Sequence, residues 1–125
     1  SIIEVEIVNH DKNFNLTTLS KNNIIIQIPE IHYKIGDTVK LRFFAEDIAI
    51  SLEKPKMISI RNIFSSRVVE ITDDDGTFKL ISLDIGGQII IARITKQSFE
   101  ELEIINNNHV YALVKSAVID RNYSD

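Results

Sequence analysis

Hydroxyl-bearing and cationic side chains fall in three short clusters in the second half of the sequence: Ser59 with Arg61, Thr95 with Ser98, and Lys115 with Ser116. Together they offer what a tetrahedral dianion requires, several converging O–H and N–H donors around one or two cations. Thr95 and Ser98 also have the spacing of a helix start, where unpaired backbone N–H groups and the dipole favour negative charge. Each cluster has a plainer explanation when read singly. Ser59 and Arg61 fit a linker, Thr95 and Ser98 fit helix caps, and Lys115 fits the solvated end of a strand.

Other chemistries find little support. No GxxxxGK[ST] loop is present, so no P-loop nucleotide site is expected. His10, His32 and His109 lie far apart, and none has a partner at metal-ligand spacing. Asp73-Asp74-Asp75-Gly76 lacks the glutamate that completes a calcium loop and reads as a solvated hairpin turn. No Ser/His/Asp or Cys/His set is suggested, and the chain is not expected to be an enzyme. The absence of cysteine excludes disulfides and zinc-thiolate sites. A net charge of −4 and the lack of tryptophan argue against nucleic acid, and an anion must be attracted by local donors rather than by the global field. No apolar run approaches the ~20 residues needed to cross a bilayer. Ser1-Ile2-Ile3-Glu4 has neither the form of a signal peptide nor an initiating Met, which suggests a segment of a longer chain.

The elements that must position these donors are mostly strands. Ile3-Glu4-Val5-Glu6-Ile7 alternates cleanly, and Val39-Lys40-Leu41-Arg42-Phe43 does the same. Strands are also expected over residues 16–19, 24–28 and 48–50. A second set covers residues 64–71, 78–85, 88–94, 110–115 and 118–119, with hairpin signals at Asp75-Gly76 and Gly86-Gly87. One short helix is expected over residues 95–102, capped by Thr95 or Ser98. Ser98 and Glu101 have capping-box spacing, acidic residues occupy the early turns, and Phe99 and Leu102 share a face.

The two sets repeat one plan, with Gly36-Asp37-Thr38-Val39 corresponding to Asn107-Asn108-His109-Val110. The expected fold is all-β: two tandem OB-like five-stranded barrels with one short helix in the second. The expected organisation is a first unit at 1–53, a Pro-containing linker at 54–58 and a second unit at 59–125. Units of that size bury little surface alone and are expected to pack on each other or on a second chain.

Ser59-Ile60-Arg61-Asn62, Arg93-Ile94-Thr95-Lys96-Gln97-Ser98 and Val114-Lys115-Ser116 together resemble the molybdate-binding Mop module. That module occurs in molbindins, in a molybdate-responsive transcription regulator and at the C-terminus of the molybdate transporter's ATP-binding subunit. The resemblance covers the second half almost completely. The Glu46-Asp47-Ile48-Ala49-Ile50-Ser51 ending of the first half is most similar to the transporter subunit. The first half otherwise departs from the pattern. It opens on Ser1-Ile2-Ile3-Glu4 rather than Ser-x-Arg-Asn, and Phe44-Ala45 stands where Lys-Ser is expected.

The resemblance implies a di-Mop arrangement that binds molybdate or tungstate through Ser59, Arg61, Thr95, Ser98, Lys115 and Ser116, with no further cofactor. It also implies a site between the subunits of a homodimer. The further partners implied are an ATPase domain and the transporter's membrane subunits, at the inner face of the cell membrane and without insertion into it. Two other readings follow from the same resemblance: a dimerisation scaffold that binds no anion, and a free-standing molybdate-storage protein.

Overall fold

The computed structural model describes residues 1–121; residues 122–125, the end of the second expected unit, lie outside the described residues. Alternation sets the first strands. In β1 (Ile2–Asp11), Ile3, Val5 and Ile7 are buried while Glu4 and Glu6 face solvent, the period-two pattern of a strand with one wet face. β2 (Leu16–Lys21) and β3 (Ile24–Pro29) follow through turns at Asn15 and Asn22, both at φ 54, a conformation asparagine tolerates well. β4 (Thr38–Phe43) buries Val39, Leu41 and Phe43. One turn of 3-10 helix at Ala45–Asp47 then leads to β5 (Ile48–Ser51). The second set is β6 (Asn62–Asp74), β7 (Phe78–Asp84), β8 (Ile89–Thr95), helix α1 (Lys96–Glu101), β9 (His109–Val114) and β10 (Ala117–Ile119).

The repeat extends to backbone detail. β1 carries a bulge between Ile7 and Asn9, and β6 carries its counterpart between Val68 and Glu70. The Ile7 N–H donates to Asp37 O, and Gly36 N–H donates to Ile7 O. In the second half, Val68 N–H donates to Asn108 O, and Asn107 N–H donates to Val68 O. Gly36 and Asn107 both have positive φ, 94° and 71°, so the paired loops close by the same left-handed step. The correspondence read between residues 36–39 and 107–110 therefore holds at the level of individual hydrogen bonds.

Two five-stranded sheets result, ordered β10-β4-β1-β2-β3 and β5-β9-β6-β7-β8. The fold is all-β and similar to tandem OB-like modules, as expected, but the fifth strand of each half joins the other half's sheet. Ile48 pairs with Val114 of β9, and Ala117 pairs with Phe43 of β4. The physical reason is burial. Ile48 and Ala117 are 2% and 6% exposed where they sit, and the exchange covers two sheet edges with the same short strands that tie the halves together. Arg42 of β4 fixes the return of β10 through an ion pair to buried Asp120 at 3.2 Å.

The helix departs from expectation in two ways. Thr95 alone is its N-cap, accepting from the Ser98 N–H at 3.1 Å, so the Ser98–Glu101 capping box does not form. The first turn holds no acidic residue; Glu100 and Glu101 fall at the C-terminal end of the six-residue helix. Packing holds α1, since Phe99 and Leu102 are half-buried against the core.

Candidate functional site

Three of the expected donors meet at one place. Thr95 at the end of β8, Ser98 on α1 and Lys115 just past β9 line a single open cleft of about 390 Å³, together with Ile60, Arg93 and Asp47. The topology explains the meeting. β8 and β9 lie in the same sheet, and β5, which comes over from the first half, pairs with β9 and closes the cleft's other side.

The other three do not join them in one chain. Arg61 lines a neighbouring hollow of about 280 Å³ with Lys54, Pro55 and Met57, and Ile60 is the wall shared with the first cleft. Ser59 is exposed beside it and lines neither cleft. Ser116 faces a larger groove of about 480 Å³, lined by residues 27–31 of the first half and by β10. Lys115 lines both this groove and the Thr95–Ser98 cleft.

The hydroxyl protons are already partly assigned. Thr95 Oγ1 donates to Ser98 Oγ at 3.0 Å while accepting the Ser98 N–H. Ser116 Oγ donates to Asp47 Oδ2 at 3.0 Å. A hydroxyl has one proton, so within this chain the Ser98 O–H is the hydroxyl left to donate into the cleft. The backbone N–H argument at the helix start carries little, because α1 is short and the Ser98 N–H is taken by Thr95.

Charge in the cleft is balanced. Arg93 and Lys115 face the carboxylates of Glu46 and Asp47. Arg93 is already engaged, with Nε 2.8 Å from Asp74 Oδ2 and its guanidinium 3.6 Å from the centre of the Phe78 ring. Lys115 forms no ion pair among the described residues. It is therefore the cation free to meet a ligand in this cleft.

Sequence reasoning missed Arg93 and Asp47 as lining residues. The RIT sequence at 93–95 offered a signal for Arg93, whose alternation places it on the face of Thr95. Nothing local could have placed Asp47, which arrives through the exchanged strand. Asn62, which ends the Ser59-Ile60-Arg61-Asn62 motif, has a different task. Its amide accepts from Gln27 N–H at 2.9 Å and donates to Gln27 O at 2.8 Å, stitching the second half to the edge strand β3.

The remaining polar clusters are structural. Asp73 pairs with Lys79 at 2.6 Å and Asp74 with Arg93 at 2.8 Å, so the acidic hairpin neutralises neighbouring cations. His10 bonds Thr17 Oγ1 and Tyr33 O, and His109 bonds Ser65 Oγ. No group of three or more potential metal ligands occurs among the described residues.

The first half lacks this cleft chemistry. Pro29 stands at the position of Thr95, since Leu16 pairs with Pro29 as Phe78 pairs with Thr95. Ser1 stands at the position of Asn62, because each meets the last residue of the neighbouring strand, Phe43 or Val114. Ser1-Ile2-Ile3-Glu4 therefore aligns with Asn62-Ile63-Phe64-Ser65 and not with the Ser-x-Arg-Asn motif.

Residues 58–119 match the model of the TOBE domain. The chain is 31% identical over 97% of its length to the molybdenum import ATP-binding protein ModC of Mesorhizobium japonicum, covering 33% of that protein. It is likewise 31% identical over 97% of its length to ModC of Photorhabdus laumondii, covering 34%, and 30% identical over 95% to ModC of Salmonella typhimurium, covering 34%. It therefore spans about a third of the length of these relatives. Among solved structures it is similar in fold to the cytoplasmic molybdate-binding protein ModG in a molybdate-bound form. The TM-score is 0.79 at 16% identity, covering 95% of this chain and 94% of that one. The second half of the fold, residues 58–119, therefore carries a TOBE domain.

Proposed function

We propose that this chain is the oxyanion-sensing part of a molybdenum importer's ATP-binding subunit, binding molybdate or tungstate and carrying no catalysis of its own. The observation that carries the reading is the convergence of Thr95, Ser98 and Lys115 on one cleft. Relatives named for molybdenum import and a fold neighbour named for molybdate binding fit the same ligand. Lys115 would supply charge and the Ser98 hydroxyl a directed donor. Cleft size would select against sulfate, whose charge and geometry are similar.

The donors missing from the cleft come from a second copy in this reading. Ser59 and Arg61 lie on the connection between β5 and β6, which also carries Leu52 and Met57, 47% and 102% exposed. Packing that segment against a second chain would cover these apolar residues and bring Arg61 toward the partner's cleft. The homodimer would then pair two ATPase chains beside the transporter's membrane subunits, at the cytoplasmic face of the membrane. Anion binding would alter transport only to the extent that it favours one arrangement of that assembly over another.

Calorimetric titration of the chain with molybdate, tungstate and sulfate tests this, with Lys115→Ala as the comparison. Binding of the first two, weak response to sulfate and loss in the variant are expected. A second reading, a dimerisation scaffold without anion binding, is favoured by the carboxylates of Glu46 and Asp47 in the cleft. A folded dimer that binds no oxyanion would establish that reading instead.

A further inference from the structure

Asp47 occupies a position that the oxyanion reading does not use. It ends the 3-10 turn between β4 and β5, in a four-residue connection, 44–47, where the second half has only Lys115 and Ser116 between β9 and β10. The strand exchange carries it to the end of β9. There its carbonyl accepts the Lys115 N–H at 2.9 Å, and its carboxylate accepts the Ser116 hydroxyl at 3.0 Å. The same residue lines the cleft of Thr95, Ser98 and Lys115. Asp47 therefore holds both residues of the Lys-Ser corner and places a negative charge in the space a dianion would enter.

We propose that Asp47 is a built-in competitor for the anion, a positioning residue that sets how much oxyanion the domain needs before it responds. The proposal rests on the oxyanion reading above. Two physical effects act together. Like charges in a confined cleft repel, so the carboxylate weakens binding of a dianion. The Ser116 proton is committed to Asp47, which fixes the carboxylate at the Lys115 end of the cleft. A bound anion and the Asp47 carboxylate thus compete for the space beside Lys115, while the Ser116 hydroxyl, which lines the neighbouring groove, holds the carboxylate in place. Glu46 also lines the cleft but holds neither residue of the corner, so its influence is limited to charge.

The test is calorimetric titration of molybdate into the chain and its variants Asp47→Asn, Asp47→Ala, Ser116→Ala and Asp47→Ala/Ser116→Ala, with thermal melting of each. Asp47→Asn keeps an acceptor for Ser116 and removes the charge; about tenfold tighter binding is expected. Asp47→Ala removes the carboxylate entirely and should bind at least as tightly. Ser116→Ala releases the carboxylate and should tighten binding in the parent chain by less than about tenfold, but change Asp47→Ala by less than about threefold, because no carboxylate is left there to hold. A purely structural role for Asp47 can only lower affinity along with the melting temperature. Folded Asp47→Asn that binds no more tightly than the parent, while the parent binds, overturns the competitor and leaves the oxyanion reading intact. A parent that binds nothing while Asp47→Asn binds molybdate supports the competitor in its strongest form. Silence from every folded variant removes both readings.

Discussion

The ends of β3 and β8 share a backbone and differ in chemistry. Glu30 N–H donates to Asn15 O at 2.9 Å in one half, and Lys96 N–H donates to Thr77 O at the same distance in the other. After that common step they diverge. The second half continues with Thr95 as a helix cap and Ser98 facing the cleft. The first half has Pro29, and Thr17 Oγ1 accepts the Ile31 N–H at 3.1 Å and shares a hydrogen bond with His10 Nδ1 at 2.9 Å. One half directs its hydroxyls to a solvent-facing cleft; the other uses a fully buried hydroxyl to hold its own loop. Duplicated architecture supplies positions, and the residue at each position decides whether it binds or braces.

The sharpest way to break this comparison is to alter the matched corners. Lys115→Ala is expected to weaken molybdate binding by roughly a hundredfold, the loss of a charge-assisted contact, while Phe44→Ala at the matching position leaves affinity unchanged. Equal losses from both, read by calorimetry, would mean that the first half carries a site too. Thr17→Val should lower stability by about 2 kcal/mol in a urea titration, because it leaves the half-buried Ile31 N–H and His10 nitrogen without the buried Thr17 hydroxyl, and it should leave binding alone. A fall in affinity as large as the fall in stability would erase the distinction between bracing and binding.

Thr95→Ala should cost about 1 kcal/mol through loss of the cap, and should also weaken binding because Ser98 is no longer oriented. Unchanged affinity in that variant would reduce Thr95 to a cap. The smallest effect concerns pH. Gly87 and Gly86 N–H groups, at 2.7 and 3.0 Å, hold the Asp84 carboxyl below its ordinary value. A pKa lowered in the folded state gives stability that is present above the unfolded value and is lost as pH falls through the folded one. Asp84→Asn should therefore make the chain slightly less stable at neutral pH and flatten its stability between neutral and acid pH. An unaltered acid limb in the variant would show that the hairpin's hydrogen bonds contribute nothing to folding.

Several features were legible because their causes are local. Alternation in 3–7 and 39–43 specified half-buried strands, since side chains on a pleated ribbon point to opposite faces. Asn22 and the Gly86-Gly87 pair marked turns that need positive φ, and the match between residues 36–39 and 107–110 exposed the repeat. The chemistry of Thr95, Ser98 and Lys115 is legible in their side chains, and the fold brings them together. The helix cap was ambiguous between Thr95 and Ser98, because both hydroxyls suit the role and only the backbone geometry at Thr95 selects it.

The sequence by itself determined the strand-and-turn plan, its duplication and the kinds of donor available. Only the tertiary structure decided which half each fifth strand serves, that Arg61 and Lys115 fall on opposite sides of Ile60, and that Asp47 meets the Lys115–Ser116 corner. The reason is range. Turn chemistry and alternation act over a few residues, whereas the exchange of β5 and β10 joins positions about seventy residues apart and is settled by which sheet edge buries them best.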